Sequence, residues 1–326
     1  MKALTFDYQE NRYQIINVPV PVPGVNDVVM KVDACGLNPV DAKIVRGRSS
    51  LLGKNELWIP GLDVSGRIAH LGSMVSGWSV GDRVLCHGNM VRPHGGFAEF
   101  TVQDSSIIIP HPNVTAALGA ATPCTGWTAW RAIHDKLRAG KHDSILITGG
   151  SGGVGGFAIQ IAKYLGLQTI IATCSAQNSE YVSNLGATHV IDYRAEDVVK
   201  RVMQITGQQG VTLGLDTVGF DNDVIVANAL AFEGQMVELV DTVRPSEYKD
   251  AFQKGLSFHQ FSLGSGHKYG KSAKEALVAA GKAFSELVEQ EIIKVPISRT
   301  IVLDEVGPAL TEILNQHTVG KTVLVF

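Results

Sequence analysis

The sequence predicts an α/β protein in two parts: a doubly wound parallel sheet, and an all-β, barrel-like unit split in sequence around it. Three observations carry this expectation. The texture changes near residue 115 from short strand-like runs to strands alternating with helical segments. A glycine-rich turn joins one of those strands directly to a helix. After about residue 268 the βα rhythm stops, so the tail is expected to return to the first part and complete it. The expected divisions are residues 1–120, 121–267 and 268–326.

Taken in order, residues 27–32, 66–70, 82–86 and 97–102 run apolar or alternate between Gly, Pro and Asn punctuation, which is the pattern of short, half-buried strands. Residues 144–148, 168–173, 189–191, 211–215 and 235–240 read as strands of a parallel sheet. Between the first two, 157–165 forms an amphipathic helix closed by Gly166, a residue free to adopt the left-handed conformation that ends helices. Such alternation implies right-handed crossovers. The tail is expected to hold a long helix over 273–290, a strand at 300–303, a helix around 308–315 and a last strand at 321–326.

The chain has 326 residues, 45% hydrophobic and 18% charged, enough for two cored domains. With 28 Lys and Arg against 31 Asp and Glu, the net charge of −3 gives no basic footprint for a nucleic-acid backbone, so no nucleic-acid partner is expected. Charge enters within the first seven residues and no apolar run approaches a membrane span, so the expectation is a soluble, cytoplasmic protein without a membrane partner. Cys35, Cys86, Cys124 and Cys174 are scattered without a Cys-x-x-Cys pair, which favours reduced thiols over a disulfide framework or zinc knot.

In the turn after 144–148, Gly150, Gly152 and Gly155 satisfy G-x-G-x-x-G, with Ser151, Gly153 and Val154 between them. A tight turn, close backbone approach and a helix N-terminus together suit a pyrophosphate, so the segment reads as dinucleotide-binding. The next strand ends Cys174-Ser175-Ala176-Gln177-Asn178, without the carboxylate that would hold a ribose 2′-hydroxyl. Hydroxyl and amide groups there favour NADP(H), although no Arg or Lys stands at the tip.

Several strings resemble the zinc-independent quinone oxidoreductases of the medium-chain dehydrogenase/reductase superfamily, over essentially the whole chain. They are Ala34-Cys35-Gly36-Leu37-Asn38-Pro39-Val40-Asp41-Ala42-Lys43, Pro60-Gly61-Leu62-Asp63-Val64-Ser65-Gly66, Val80-Gly81-Asp82-Arg83-Val84 and Gly95-Gly96-Phe97-Ala98-Glu99-Phe100. Further along come Thr125-Gly126-Trp127-Thr128-Ala129-Trp130, the glycine turn, Leu185-Gly186-Ala187-Thr188-His189-Val190-Ile191-Asp192-Tyr193 and Gly320-Lys321-Thr322-Val323-Leu324. The resemblance implies a discontinuous GroES-like β-barrel catalytic domain and a Rossmann domain, with the active site in their cleft. It also implies no metal: Asn38 and Leu62 stand where zinc members carry Cys and His, and residues 120–123 supply no second Cys.

Without a Lewis acid, reduction of an electrophilic acceptor is favoured over alcohol oxidation. The implied reaction is hydride transfer from NADPH to a small-molecule quinone or α,β-unsaturated carbonyl. Another zinc-free carbonyl reductase of this fold, or a non-catalytic NADPH-binding protein, remains open. By resemblance, Asn38 is expected as a polar contact near the nicotinamide, Asp41 as support for its loop and Lys43 as a proton relay. Thr125 is expected at the nicotinamide, and Ser175 and Tyr193 near the 2′-phosphate. Cofactor contacts are also expected from Cys174, Gln177, Thr217, Val218, Leu239, Val240, Phe261, Leu263 and Lys321. Asp216 reads either as a residue at the cofactor edge or as a turn cap. His87 and His94 flank a loop that by resemblance lies near the substrate cleft, and read either as exposed loop residues or as a proton donor. Trp58 and Trp127 read as an aromatic wall or as core, and the loops at 46–58 and 248–270 are expected to shape the pocket. A homodimer paired through an edge strand near 258–263 is expected.

Overall fold

The computed structural model describes residues 1–7, 9–47, 57–315 and 318–326. It divides into two compact units, Met1–Trp127 with Leu263–Phe326, and Thr128–Ser262. These divisions fall seven residues after and five residues before the 120/121 and 267/268 boundaries drawn from the sequence.

The first unit opens with an antiparallel pair, β1 (Lys2–Asp7) and β2 (Arg12–Asn17). Between them the Asp7 carboxylate accepts the N–H groups of Gln9 and Glu10, a local turn bond that aspartate makes readily. β3 (Asp27–Gly36) is the spine of the unit. It is irregular against its neighbour between Val29 and Met30 and between Val32 and Ala34, so its buried positions do not follow a strict period of two. α1 (Pro39–Gly47) follows with proline at its first position, where the missing N–H costs nothing. Then come β4 (Asp63–Leu71), β5 (Arg83–His87), β6 (Phe100–Asp104), β7 (Ile109–Pro110) and α2 (Ala116–Ala120), whose N-cap Thr115 accepts the Leu118 N–H.

The second unit begins with α3 (Thr128–Trp130) and continues β8 (Ser144–Ile147), α4 (Gly153–Tyr164), β9 (Thr169–Cys174), α5 (Ser179–Leu185), β10 (His189–Asp192) and α6 (Val198–Ile205). Next are β11 (Val211–Asp216), α7 (Asn222–Asn228), β12 (Leu230–Glu238), α8 (Ala251–Lys254) and β13 (Ser257–Gln260). The six strands lie parallel in the order β10-β9-β8-β11-β12-β13. The order reverses between β8 and β11, and ligands of such sheets bind at this switch point, beyond the strands' carboxyl ends. Leu146, Ile171, Ile191, Val211 and Met236 form a continuous core with residues of α6 and α7.

The tail returns to the first unit as α9 (Lys271–Glu289), β14 (Ile297–Ile301), α10 (Leu303–Leu314) and β15 (Lys321–Val325). β15 pairs antiparallel with β3 and parallel with β14, giving a sheet ordered β14-β15-β3-β4-β5-β7, with β6 also on β3. The expected α/β class, with a doubly wound sheet and a discontinuous β unit, is observed.

Some local expectations change. Asp41, read as support for a loop, lies on α1, as does Lys43. α10 begins five residues before Pro308 and carries that proline inside it. Its start is set by Glu305, whose carboxylate accepts the Val302 N–H. Residues 48–56 of the expected pocket loop lie outside the described residues. No described helix is long and apolar enough to cross a membrane.

Candidate functional site

The second unit presents a backbone site. Gly149 turns the chain at φ +66° after β8, and Gly152 caps α4 without any side-chain bond to the helix's first N–H groups. A Cβ at Gly155 would collide with the Gly149 carbonyl, so this glycine allows the helix to start against the turn. At Gly152 a Cβ would meet nothing nearer than the same carbonyl at 3.3 Å, leaving that face open to a ligand. The turn is tied to β9 by Gly150 N–H donating to Thr173 O (2.8 Å) and Gly149 N–H donating to Thr173 Oγ1 (3.2 Å).

At the β9 tip, Asn178 Nδ2 donates to both Ser151 Oγ (3.3 Å) and Ser175 Oγ (3.2 Å). This brings two expected cofactor residues together through a third the sequence reading did not single out. Gln177 and Tyr193 are exposed, whereas Cys174 is buried at 2% exposure. The Arg194 guanidinium lies over the Tyr193 ring, 5.6 Å from its centroid. Because Asp192 pairs with Cys174 across β10 and β9, Tyr193 and Arg194 leave the sheet beside Ser175. A cation absent from the β9 tip thus stands in the turn that follows the next strand.

On the other side of the switch point, the Thr217 hydroxyl donates to Thr148 O (2.7 Å). Asp216 accepts the N–H groups of Val218 and Gly219, and so holds the turn after β11 in the manner of a turn cap. Leu239 and Val240 form the next turn, after β12. Phe261 lies under the Arg131 guanidinium, 4.9 Å from its centroid.

The first unit presents a side-chain site, and sheet register assembles it. Gly36 at the end of β3 pairs with Asp63 at the start of β4 and with Val323 of β15, and Asp63 pairs with His87 at the end of β5. Three strand ends and the first half of β15 therefore converge beside Asn38. Asn38 Nδ2 donates to Asp63 Oδ2 (2.9 Å), and Lys321 Nζ donates to Asn38 Oδ1 (2.5 Å) and Leu37 O (3.0 Å). Lys321 Nζ also lies 3.8 Å from Asp63 Oδ2, while Asp63 Oδ1 accepts the Cys124 N–H at 2.9 Å. Asn38, Asp41, Asp63 and Lys321 are all at most 3% exposed.

Asp41 sits three residues after Asn38 and accepts its backbone N–H at 2.9 Å. It does the helix-capping work for α1, which leaves the Asn38 amide free for Asp63 and Lys321. Burial, then repulsion from Asp63, pushes the Asp41 carboxyl up to about 7. Burial also raises Asp63, to about 6, against the opposing pull of Lys321, Asn38 and the Cys124 N–H.

The structure shows what surrounds three of the expected residues. Both ends of the Asn38 side chain are engaged, so it is a strut between a carboxylate and an amine before it is anything else. Lys321 is directed into this cluster. Lys43 is exposed on α1, away from these buried partners. Thr125 is buried, its hydroxyl donating to Ala121 O at 3.3 Å, and Leu263 is buried in the turn Leu263–His267.

His87, read as an exposed loop residue, is 2% exposed at the end of β5, stacked on His267 with Nδ1 3.4 Å from its Nε2. Burial, with mutual repulsion, lowers His87 to about 3. Burial lowers His267 to about 4. Trp127 is fully buried and Trp58 nearly so, its indole N–H donating to Arg92 O, so both are core.

Donor atoms of Asp63, His87 and Cys124 lie within 4.8 Å of one another. Asp63, however, is already committed on both oxygens, and the Cys124 thiol is pushed up by burial and the nearby carboxylates.

Residues 24–113 match the alcohol dehydrogenase GroES-like domain, and residues 153–274 the zinc-binding dehydrogenase family. The chloroplast envelope quinone oxidoreductase homolog of Arabidopsis thaliana is 41% identical over 192 residues. That is 56% of this chain and 57% of the relative, so the chain matches little more than half of that protein's length. The quinone oxidoreductase of Mus musculus is 31% identical over 312 residues, covering 94% of this chain and 90% of that one. The chain belongs to the quinone oxidoreductase family of medium-chain dehydrogenases/reductases. Among solved structures of this family, the Escherichia coli quinone oxidoreductase complexed with NADPH is similar with a TM-score of 0.85 at 25% identity, over 100% of both chains. That of Coxiella burnetii is similar with a TM-score of 0.85 at 27% identity, over 100% of this chain and 99% of that one.

Proposed function

We propose that this member of the family is an NADPH-dependent, zinc-independent reductase of quinones or α,β-unsaturated carbonyls. The observation that carries the reading is the glycine-lined turn at the switch point, joined by Asn178 to a carboxylate-free β9 tip. It fits a dinucleotide because the open face at Gly152 and the uncapped start of α4 offer backbone N–H groups to a pyrophosphate. Ser175, Gln177, Tyr193 and Arg194 would hold the 2′-phosphate, and Thr217, Val218, Leu239 and Val240 would line the nicotinamide half. When bound, the cofactor supplies the hydride, and the complex of the Escherichia coli relative with NADPH supports that choice.

In the first unit, Lys321 is a buried cation held at a fixed place by Asn38, Leu37 and Asp63. A fixed positive charge in an apolar surround favours the negative charge that develops on an acceptor oxygen, the service zinc performs in other members of the superfamily. Asn38 and Leu62 are not thiolate and imidazole, and Asp63 is committed to Lys321 and Asn38, which supports a metal-free reaction. Reduction takes up one proton, and Lys43 or solvent supplies it. Asn38→Ala is expected to lower turnover more than cofactor affinity. β13 ends the sheet, and we extend the proposal to a homodimer formed along it.

The test is oxidation of NADPH, beside NADH, by chelator-treated protein offered an ortho-quinone, a para-quinone and a simple enone. Turnover that prefers NADPH and survives the chelator is expected. Loss of turnover with the chelator and its return with zinc would overturn the metal-free reading.

A further inference from the structure

β11 and β12 both end in a carboxylic acid, and parallel register sets the two side by side, Asp216 opposite Glu238. Asp216 is 0% and Glu238 1% exposed. Asp216 takes donors on both oxygens: Thr148 Oγ1 (2.6 Å) and the Val218 N–H (2.9 Å) on Oδ1, and the Gly219 N–H (3.3 Å) on each. Glu238 Oε1 accepts the N–H groups of Val240 (2.7 Å) and Asp241 (2.9 Å). Glu238 Oε2 is buried with no donor. A bare carboxylate oxygen beside a second carboxyl is costly in an apolar interior, and a proton on it removes both the orphaned acceptor and the repulsion.

Among the described residues, the groups facing this pair supply no compensating cation. On β13, His259 and Gln260 lie opposite Val237 and Glu238. On α7, Asp223 is bound to Arg244 and to the Tyr248 hydroxyl, and Arg244 is further shared with Asp221 and Glu247. Lys254 of α8 donates to Leu230 O, and Asp241 accepts the Phe220 N–H. Burial and the neighbouring Asp216 push Glu238 up to about 7.

The two carboxyls also hold the turns that abut the glycine turn. A Cβ at Gly149 would meet Thr217 and Val218, and one at Gly219 would meet Val240 and Asp241. The glycine turn, the β11 turn and the β12 turn are thus packed in a row, with the carboxyl pair beneath the last two.

We propose that Glu238 is a positioning residue whose proton, shared with Asp216, ties the β11 and β12 turns together and makes dinucleotide affinity proton-linked. The link to affinity rests on the dinucleotide reading above. Losing the proton leaves two buried negative charges at the root of those turns, which loosens the cradle as pH rises.

The experiment is NADPH affinity, read by nucleotide fluorescence from pH 6 to 9, for wild type, Glu238→Gln and Asp216→Asn, with thermal melting of the same proteins without nucleotide. The amide introduced by Glu238→Gln keeps an oxygen for the Val240 and Asp241 N–H groups and puts an N–H where the proton stood. The expected result is therefore a wild-type affinity that weakens from pH 6 to pH 9 by about tenfold more than that of either variant. Nucleotide titration is common to all three proteins and cancels in the comparison. In melting, wild type is expected to lose more stability than Glu238→Gln over the same range. Affinity and melting profiles that fall in parallel for wild type and variants overturn the proposal. No NADPH binding at any pH defeats the dinucleotide reading instead, while the melting arm still judges the shared proton.

Discussion

The glycine turn of the second unit and the Asn38–Asp63–Lys321 cluster of the first both gather polar groups within an apolar surround, but they are made of opposite materials. The turn works through backbone N–H groups and the absence of side chains; Arg194, in the turn after β10, is exposed. The cluster works through three ionisable side chains and an amide, all buried, with the single ammonium of Lys321 set against the carboxyls of Asp63 and Asp41. The difference teaches where each is vulnerable. A backbone site fails by gaining atoms, and a buried-charge site fails by losing a partner.

The largest effect is therefore expected at Lys321. Lys321→Ala leaves Asp63 and Asp41 buried without their cation, and should cost about 3–5 kcal/mol in urea unfolding at neutral pH. The double variant Asp63→Asn with Lys321→Met removes both charges together and should cost much less. Equal losses in the two proteins would mean that the charges are not coupled, and the comparison would break at its first term.

Next is the pH dependence of the cluster. Folding raises Asp41 from its ordinary 3.8 to about 7, so between these values the folded state binds more protons than the unfolded chain. Stability must then fall as pH rises from about 4 to 7, and Asp63, raised to about 6, adds to the fall in the same window. Asp41→Asn keeps an acceptor for the Asn38 N–H and should recover on the order of 2–4 kcal/mol above pH 7. A variant whose stability falls across this window as steeply as wild type would place the titration elsewhere.

The backbone site is sharpened by two alanines. Gly155→Ala drives a Cβ into the Gly149 carbonyl and should lose about 1–3 kcal/mol of stability. At Gly152 the φ is an ordinary −78° and a Cβ would press on the Gly149 carbonyl at 3.3 Å, less closely than at Gly155, so Gly152→Ala should cost less stability than Gly155→Ala while NADPH affinity weakens about tenfold, near 1.4 kcal/mol. The opposite pattern would exchange the roles of the two glycines. The smallest effect is expected at Arg194, an exposed charge: Arg194→Ala should weaken NADPH a few-fold, under about 1 kcal/mol, and leave NADH unchanged. Equal weakening of both nucleotides would remove it from the 2′-phosphate.

The same contrast explains what was legible beforehand. The glycine turn is contiguous, so strand, turn and helix could be read from residues 144–165, and the parallel sheet followed from the repeats of that pattern. The cluster joins Asn38 to residues 25 and 283 positions away, through a register that no local pattern records. Irregularities in β3 obscure its period, and the helix behind Pro39 hides in a string that otherwise reads as a loop. Asp63 carried one usable signal, a carboxylate at the first position of a strand; His87 and Glu238, each charged or polar at a strand's end, carried the same.

The most direct test of the central claim is a single turnover: NADPH bound to chelator-treated protein is mixed with saturating quinone, and loss of its absorbance is followed for the protio cofactor and for one deuterated at the transferring position. Oxidation of the bound nucleotide, slowed by deuterium, is the expected result; bound NADPH that no quinone or enone oxidises would contradict it.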